Sequence, residues 1–164
     1  LAIRAASSGA DPVLLIDADA RRRRIARRFH LNGSPGWCEI MRGNAVAKSC
    51  VQQSKLSNLA VLGPGGAEVG SSEPGDADDP RNRLDDLKSD FGLVVIDLPP
   101  ASELNSSMVA NMVDEVVLVV EAERTRIQAA QRARDLLKRA GIHVAGVVLA
   151  NRREHIPRWL YQRL

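Results

Sequence analysis

The segment Val13-Leu14-Leu15-Ile16-Asp17-Ala18-Asp19 joins four apolar residues to two carboxylates that stand one residue apart. An apolar run without polar alternation is typical of a strand covered on both faces, as in a parallel sheet packed between helices. Its carboxylates then fall at the carboxyl end of the strand, where open α/β sheets bind ligands because the loops diverge there. The segment therefore predicts a buried strand with chemistry at its tip.

A second segment has the same form, Leu93-Val94-Val95-Ile96-Asp97, and is followed by Leu98-Pro99-Pro100. If the two strands are neighbours in one sheet, Asp17 and Asp97 approach each other at one crevice. Clustered carboxylates repel one another, and a hard cation with phosphate oxygens relieves that repulsion. We therefore expect the two aspartates to lie side by side.

Strands and helices alternate along the rest of the chain. Apolar runs predict further strands at 59–62, 116–120 and 142–150, and helical periodicity or composition predicts helices at 1–8, 20–29, 37–43, 125–140 and 156–164. In the 125–140 helix we expect an inward face of Ile127, Ala130, Ala133, Leu136 and Leu137. The alternation predicts an α/β fold, a doubly wound and mainly parallel sheet with helices on both faces.

The length favours one domain over residues 1–164. Between residues 63 and 80 the composition changes to Gly, Pro, Ser, Asp and Glu, which predicts a flexible loop within that domain. Its glycines are not followed by Gly-Lys-Ser or Gly-Lys-Thr, so they form no phosphate-binding motif.

The charge balance argues against a nucleic-acid partner. The 23 basic and 20 acidic residues are interspersed, and aromatic residues make up only 3% of the chain, which leaves little to stack on bases. The longest strongly apolar segment, Val144–Ala150, is far shorter than the roughly 20 residues that span a bilayer. No signal peptide is visible, and we expect a cytosolic chain. Cys38 and Cys50 match no metal-ligand spacing and are expected to be reduced, buried or incidental thiols.

Four pieces of the sequence together resemble the bacterial tyrosine kinases of capsule and exopolysaccharide assembly. The pieces are Val13–Asp19 with Arg21-Arg22, Phe91–Pro100, Asp114–Val120 and Gly146–Asn151, and the resemblance covers nearly the whole chain. These kinases belong to the deviant P-loop ATPases, which also include the MinD and ParA partition proteins. The resemblance implies a P-loop ATPase-like fold that uses ATP and Mg²⁺.

The resemblance also implies roles for the three aspartates. Asp17 is similar to the first acid of the family's second Walker motif, which assists magnesium and draws the proton from an attacking hydroxyl. Asp19 is similar to its partner in holding the ion, and Asp97 to the Walker B acid, which binds magnesium through water. Three carboxylates that hold a cation against phosphates suit phosphoryl transfer, which depends on positioned charge. On this basis Asp17→Asn or Asp97→Asn should abolish transfer and leave the fold in place.

Other residues receive weaker assignments from the same resemblance. Arg21 and Arg22 are candidates for contacting phosphate or an adjacent subunit, and Asn151 stands where relatives contact the adenine base. The expected partners are a membrane-embedded polysaccharide chain-length regulator, fused or separate, and further copies of the same protein. The expected location is the cytoplasm, at the inner face of the plasma membrane.

Each assignment has a structural alternative. An aspartate after a strand commonly caps the following helix, so Asp17, Asp19 and Asp97 are also candidates for capping. For Arg23 and Arg24 we favour a solvated helix face, and for Pro99 and Pro100 a stiff turn that ends the strand.

The sequence departs from the family in two ways. It contains no Gly-x-x-x-x-Gly-Lys-Ser/Thr loop, which in the family precedes the helix in which this chain begins. We therefore expect a fragment that binds ATP poorly and lacks a central strand, whose two neighbours keep unpaired edges. The family phosphorylates a tyrosine-rich tail, but the only tyrosine here is Tyr161, which we expect in a packed terminal helix.

The preferred functional hypothesis is an ATP-dependent tyrosine autokinase domain that regulates polysaccharide polymerisation and export. One alternative is a partition ATPase of the MinD or ParA type. The other is a degenerate domain that binds a partner without nucleotide.

Overall fold

The computed structural model describes residues 1–9, 11–33, 35–66, 84–85, 87–103 and 112–152. The chain forms two compact units, residues 1–103 and 104–164. In chain order the first unit contains helix α1 (Ala2–Ser8), strand β1 (Val13–Asp17), helices α2 (Arg24–Phe29), α3 (Trp37–Met41) and α4 (Ala47–Cys50), strands β2 (Val51–Gln53), β3 (Leu59–Leu62) and β4 (Leu93–Asp97), and a 3₁₀ turn at Ala101–Glu103.

The first unit is built on a sheet with the strand order β2-β3-β1-β4. Strand β1 pairs in parallel with both β3 and β4, and the short β2 pairs antiparallel with β3. The mainly parallel sheet predicted from the sequence is confirmed. Among the described residues β4 pairs with β1 alone, and Leu93 at its start is 40% exposed. The prediction of a missing central strand stays a prediction.

Strand β1 is covered on both faces, as its unbroken apolar run predicted. On one face Val13 and Leu15 belong to a cluster that also contains Ala2 and Ala6 of α1. On the other face Leu14 and Ile16 are fully buried. Burial of a leucine or isoleucine side chain contributes about 1.5–3 kcal/mol, so the strand is held in place mainly by its own apolar residues.

Helix α2 begins later than the sequence predicted. The expected start was Ala20, but the helix starts at Arg24. The Asp19 carboxylate accepts the N–H of Arg22 and closes a turn there, and Arg23 has a φ of 50°, in the left-handed region. These two features replace the first turn of the expected helix with a loop, 18–23, at the tip of β1.

Helix α3 ends at Met41, two residues before the predicted end at Gly43. The sequence analysis missed α4 and β2 because both are short and lack apolar periodicity. Strand β2 exists through its pairing with β3, which is a tertiary contact.

The second unit contains strands β5 (Val116–Glu121) and β6 (Val144–Ala150), which pair in parallel, and helix α5 (Ile127–Arg139) between them. The predicted strand-helix-strand order is confirmed. The predicted inward face of α5 is wrong at Ile127, which is 74% exposed, and at Leu136, whereas Leu137 is buried. The described sheet of this unit has only two strands and does not cover the whole apolar stripe of the helix.

The start of the loop after β3 is held against the N-terminus of α3. The N–H groups of Trp37 and Cys38 donate to the carbonyl oxygens of Gly63 and Pro64, at 2.8 and 3.0 Å. The Glu39 carboxylate accepts the N–H groups of Gly36 and Gly66, at 2.8 and 3.0 Å. Burial opposes ionisation of Glu39, but these hydrogen bonds outweigh it and hold the pKa of the carboxyl below its usual value.

Several predicted features fall outside the described residues. They are residues 67–80 of the predicted loop, the terminal helix at 156–164 and Tyr161.

We predict that Gly36→Ala destabilises the protein. A Cβ on Gly36 would collide with the amide nitrogen of Gly65 and the carbonyl oxygen of Gly63, which are backbone atoms that cannot turn aside. The expected loss is about 1–3 kcal/mol in the free energy of unfolding, measured by urea denaturation. Gly33→Ala is the matched control, because a Cβ there meets nothing within 4 Å. Equal urea midpoints for the two variants would contradict this packing.

Candidate functional site

Asp17 and Asp97 occupy paired positions at the carboxyl ends of β1 and β4. The N–H of Ala18 donates to the carbonyl oxygen of Asp97 at 3.0 Å and continues the ladder by one bond beyond the strands. Partner residues on adjacent parallel strands project to the same face of the sheet. The structure therefore confirms that the two aspartates lie side by side.

Asp17 is fully buried and engaged by the backbone of the loop that follows it. Its Oδ1 accepts the N–H of Asp19 at 3.2 Å, and its Oδ2 accepts the N–H of Ala26 at 2.9 Å. Ala26 lies in the first turn of α2, where backbone N–H groups have no partner within the helix. Asp17 thus caps α2, as in the structural alternative, and direct contact with a cation requires a rearrangement of loop 18–23.

Asp19 is buried and paired with Arg22. Its Oδ1 accepts the backbone N–H of Arg22 at 3.0 Å, and its Oδ2 faces Nη1 of the same arginine at 3.2 Å. Desolvation opposes ionisation of Asp19, but the hydrogen bonds and positive charge of Arg22 outweigh it, and the pKa of the carboxyl lies below its usual value. Asp19 is therefore ionised at neutral pH, with both oxygens occupied.

Asp97 differs from the other two acids. Its side chain reaches solvent, and no hydrogen bond to its carboxylate is found among the described residues. Burial by the surrounding protein, followed by the negative charges of Asp17 and Asp19, raises the pKa of Asp97. The charge of Arg24 opposes this shift and is too weak to cancel it. Asp97 is thus the carboxylate that gains most from an added positive charge.

The arginines after β1 are divided among several partners. Arg22 reaches Glu103 through Nη2 at 2.9 Å, and the exposed Arg21 reaches the same carboxylate at 3.3 Å. The pKa of Glu103 lies below its usual value, first because of the hydrogen bond from Arg22. Arg23 donates to the carbonyl oxygen of Gly65 at 3.0 Å, so the prediction that it forms a solvated face is wrong.

Glu103 is the site residue that the sequence analysis missed. It lies in the 3₁₀ turn after Pro99 and Pro100, far from the arginines in sequence. The only signal available was an acidic residue shortly after a strand-ending proline pair, which occurs too often to indicate a contact.

Asn151 follows β6 in the second unit and has a φ of 56°, in the left-handed region that asparagine tolerates better than most residues. Its role toward the adenine base stays a prediction.

The three aspartates only partly fit the metal site that the resemblance implies. Within the described residues no group of three His, Cys, Asp or Glu side chains is arranged to hold a metal ion. A cation would nevertheless favour the ionised form of Asp97, whose pKa is raised by burial and by the charges of Asp17 and Asp19. A solvent-exposed carboxylate is also a ligand that Mg²⁺ accepts. Asp97 fits such a role as it stands, Asp19 fits once Arg22 leaves it, and Asp17 is placed to position the loop.

The two cysteines are free thiols. Burial raises the pKa of both Cys38 and Cys50, which keeps them protonated and unreactive. The prediction of reduced, buried or incidental thiols is confirmed.

In the part of the chain that the structure describes, no helix has both the length and the apolar character needed to cross a membrane.

Comparison with known proteins gives a consistent set of relatives, although no family model matches the chain. The tyrosine-protein kinase ptk of Acinetobacter johnsonii is 26% identical over 138 residues, which is 84% of this chain and 19% of that protein. The tyrosine-protein kinase CpsD of Streptococcus agalactiae serotype III is 24% identical over 138 residues, which is 83% of this chain and 60% of that protein. Among solved structures, the kinase domain of VpsO is 33% identical with a TM-score of 0.75, and the match covers 93% of this chain and 75% of that domain.

The chain spans less than two thirds of the length of these two curated relatives. The similarity therefore identifies the kind of domain, and the α/β fold of a P-loop ATPase-like kinase domain is confirmed.

We predict that Asp17→Asn lowers stability. The amide nitrogen of asparagine cannot accept a hydrogen bond, so the N–H of either Asp19 or Ala26 loses its acceptor in a fully buried position. Leaving a buried donor unsatisfied costs about 1–3 kcal/mol, which urea denaturation measures directly. We therefore expect a variant that folds but is less stable than wild type. An unfolding free energy equal to that of wild type would show that Asp17 does not cap α2.

We predict the opposite sign for Asp97→Asn. Because the folded state raises the pKa of Asp97, stability is greatest below the unfolded pKa of about 3.8 and falls as the pH rises through the folded value. Asparagine carries no charge and avoids this loss. The melting temperature of the variant should therefore exceed that of wild type at pH 7, and the difference should shrink as the pH falls toward 3.8.

The control is Asp114→Asn, because Asp114 is exposed and lies in the second unit. A difference between Asp97→Asn and wild type that stays constant with pH would refute the electrostatic explanation.

Proposed function

This chain belongs to the bacterial tyrosine-protein kinases, and from that premise we propose that it forms the nucleotide-binding part of an ATP-dependent protein tyrosine kinase. The complete protein would phosphorylate tyrosines on copies of itself and thereby regulate the assembly of a capsular or extracellular polysaccharide. The proposal concerns the complete protein, because the chain spans less than two thirds of the length of its curated relatives.

The observation that carries the proposal is the pairing of Asp17 with Asp97 at the carboxyl edge of a parallel sheet. This edge is where open α/β sheets bind ligands. The carboxylate on β4 is open to solvent and electrostatically strained, and the carboxylate on β1 orders the neighbouring loop. Such an arrangement attracts a cation to one side of the strand tips.

Bound Mg²⁺ together with ATP would supply the positive charge that neutralises the phosphates during transfer. In this arrangement Asp97 is the acid that holds the ion, through water as the resemblance implies. Asp19 is a second ligand after its release from Arg22. Asp17 keeps loop 18–23 in place, and a role as general base would require it to give up a hydrogen bond to the backbone.

Arg21 and Asn151, which lie in different units, are proposed to make different contacts. Arg21 is mostly exposed and is bound to Glu103 by one hydrogen bond, so it is available to an approaching phosphate or a neighbouring subunit. Asn151 is proposed to contact the adenine base. Phosphorylation of one copy by another would make the working form a homo-oligomer.

A membrane-embedded polysaccharide chain-length regulator is the proposed partner, and it would bring the kinase to the inner face of the plasma membrane. The support for this step is the recurrence of tyrosine kinases of capsule and exopolysaccharide systems among the relatives.

The two alternatives differ from the proposal in measurable ways. A partition ATPase would share the fold and the nucleotide site, and is the secondary hypothesis because the named relatives are tyrosine kinases. A degenerate domain would bind no nucleotide. In that case magnesium-ATP would not stabilise the complete protein. A protein that binds the nucleotide would gain about 2.7 kcal/mol in the free energy of unfolding when the ligand is present at a hundred times its Kd.

We predict that Asp97→Asn lowers ATP-dependent tyrosine phosphorylation by the complete protein about 100-fold or more, because a cation in such a site contributes several kcal/mol. The assay is phosphotyrosine formation with Mg²⁺ and ATP. Asp114→Asn is the matched control and should keep wild-type activity. If Asp97→Asn retained wild-type activity while folded, the proposed site would be incorrect; if wild type formed no phosphotyrosine but hydrolysed ATP, the partition-type ATPase would be favoured.

A further inference from the structure

Arg22 is shared between two carboxylates from the loops that follow two different strands of the sheet. Its Nη1 lies 3.2 Å from Oδ2 of Asp19, and its Nη2 lies 2.9 Å from Oε1 of Glu103. Asp19 follows β1, and Glu103 belongs to the 3₁₀ turn that follows β4. One guanidinium therefore joins the two loops that border the Asp17–Asp97 pair.

Arg22 blocks access of a cation to Asp19, which is a proposed ligand of that cation. The backbone N–H of Arg22 occupies Oδ1 of Asp19, and Nη1 occupies Oδ2. A cation that binds Asp19 directly must displace at least the guanidinium. The displaced guanidinium would then need another anionic partner to replace the hydrogen bond that it loses.

Glu103 is placed to be that partner. It already faces both terminal nitrogens of Arg22, at 2.9 Å from Nη2 and 3.5 Å from Nη1. Its side chain is only partly exposed, and it also receives Arg21 at 3.3 Å. When Nη1 leaves Asp19, the guanidinium can turn toward Glu103 without losing all its hydrogen bonds.

We propose that Arg22 and Glu103 form a latch on the proposed site: Arg22 occupies Asp19 in the ligand-free protein, and Glu103 retains Arg22 when a divalent cation takes its place. Glu103 is thus a positioning residue, which acts on the cation only through Arg22. This inference rests on the proposed function, because it assumes that Asp19 meets a divalent cation.

The latch predicts how substitution of Glu103 or Arg22 changes the Mg²⁺ concentration at which the site is half-saturated. Without the Glu103 carboxylate, Arg22 has Asp19 as its only anionic partner among the described contacts, and the cation must compete with a fully committed guanidinium. Ion pairs with solvent access contribute little, so we expect a change of about two- to fivefold in the equilibrium constant for cation binding. Arg22→Gln has the opposite effect, because it leaves Asp19 open.

The experiment measures ADP binding to the complete protein by calorimetry as the Mg²⁺ concentration is varied. Glu103→Gln should raise the Mg²⁺ concentration at half-saturation by about two- to fivefold, and Arg22→Gln should lower it. In the Arg22→Gln background, the Glu103→Gln change should have no further effect. A direct attraction between Glu103 and the cation would persist in this background, so the double variant separates it from an effect through Arg22.

Glu121→Gln is the matched control, because Glu121 forms a comparable ion pair with Arg124 at 3.0 Å in the second unit. It should leave the Mg²⁺ requirement unchanged. Glu103→Asp keeps the charge on a shorter side chain and should fall between wild type and Glu103→Gln.

The outcomes separate the two proposals. If wild type binds no ADP with Mg²⁺, the proposed function fails and the latch fails with it. If wild type binds ADP with Mg²⁺ but Glu103→Gln leaves the requirement unchanged, only the latch is overturned. An equal effect of Glu103→Gln with and without Arg22 would also overturn it, because Glu103 would then act independently of the arginine.

Discussion

The hydrogen-bonded register between β1 and β4 is the constraint from which the site follows. It sets Asp17 opposite Asp97, and the bond from Ala18 to the Asp97 carbonyl extends the ladder past the last residue of each strand. A shift by one residue would send one of the two carboxylates to the opposite face of the sheet. The apolar residues of β1 oppose such a shift, because both faces of the strand are buried.

Three carboxylates in a small volume are tolerated here through three different environments. The Asp17 carboxylate accepts hydrogen bonds from two backbone N–H groups. One of them lies at the N-terminus of α2, where the helix dipole favours negative charge. Asp19 shares the charge of Arg22. Asp97 has neither, and its pKa is raised first by burial and then by the negative charges of Asp17 and Asp19. Of the three acids, Asp97 therefore has the least compensation for its charge, and it is the one that faces solvent.

The same loops carry a network that reaches beyond the three acids. Arg22 and Glu103 connect the tips of β1 and β4, while Arg23 connects the tip of β1 to the loop after β3. Glu39 then ties that loop to α3 through two backbone N–H groups. Movement of loop 18–23 is therefore coupled to neighbours on both sides of β1.

Local sequence was sufficient for every described strand except β2, because an uninterrupted apolar run favours a strand. Of these strands, β1 and β3 are buried at every residue. Local sequence was also sufficient to place Asp17 and Asp97 at strand ends, and to expect them together once a parallel sheet was inferred. Local sequence could not predict the start of α2, the edge strand β2 or the partner of Arg22. Each of these depends on groups that are distant in sequence or on a turn whose hydrogen bonds compete closely with those of a helix. The hydrophobic pattern can be recognised in the local sequence because the tendency to be buried is a property of each side chain. The ion pair between Arg22 and Glu103, in contrast, exists only after the sheet has brought their loops together.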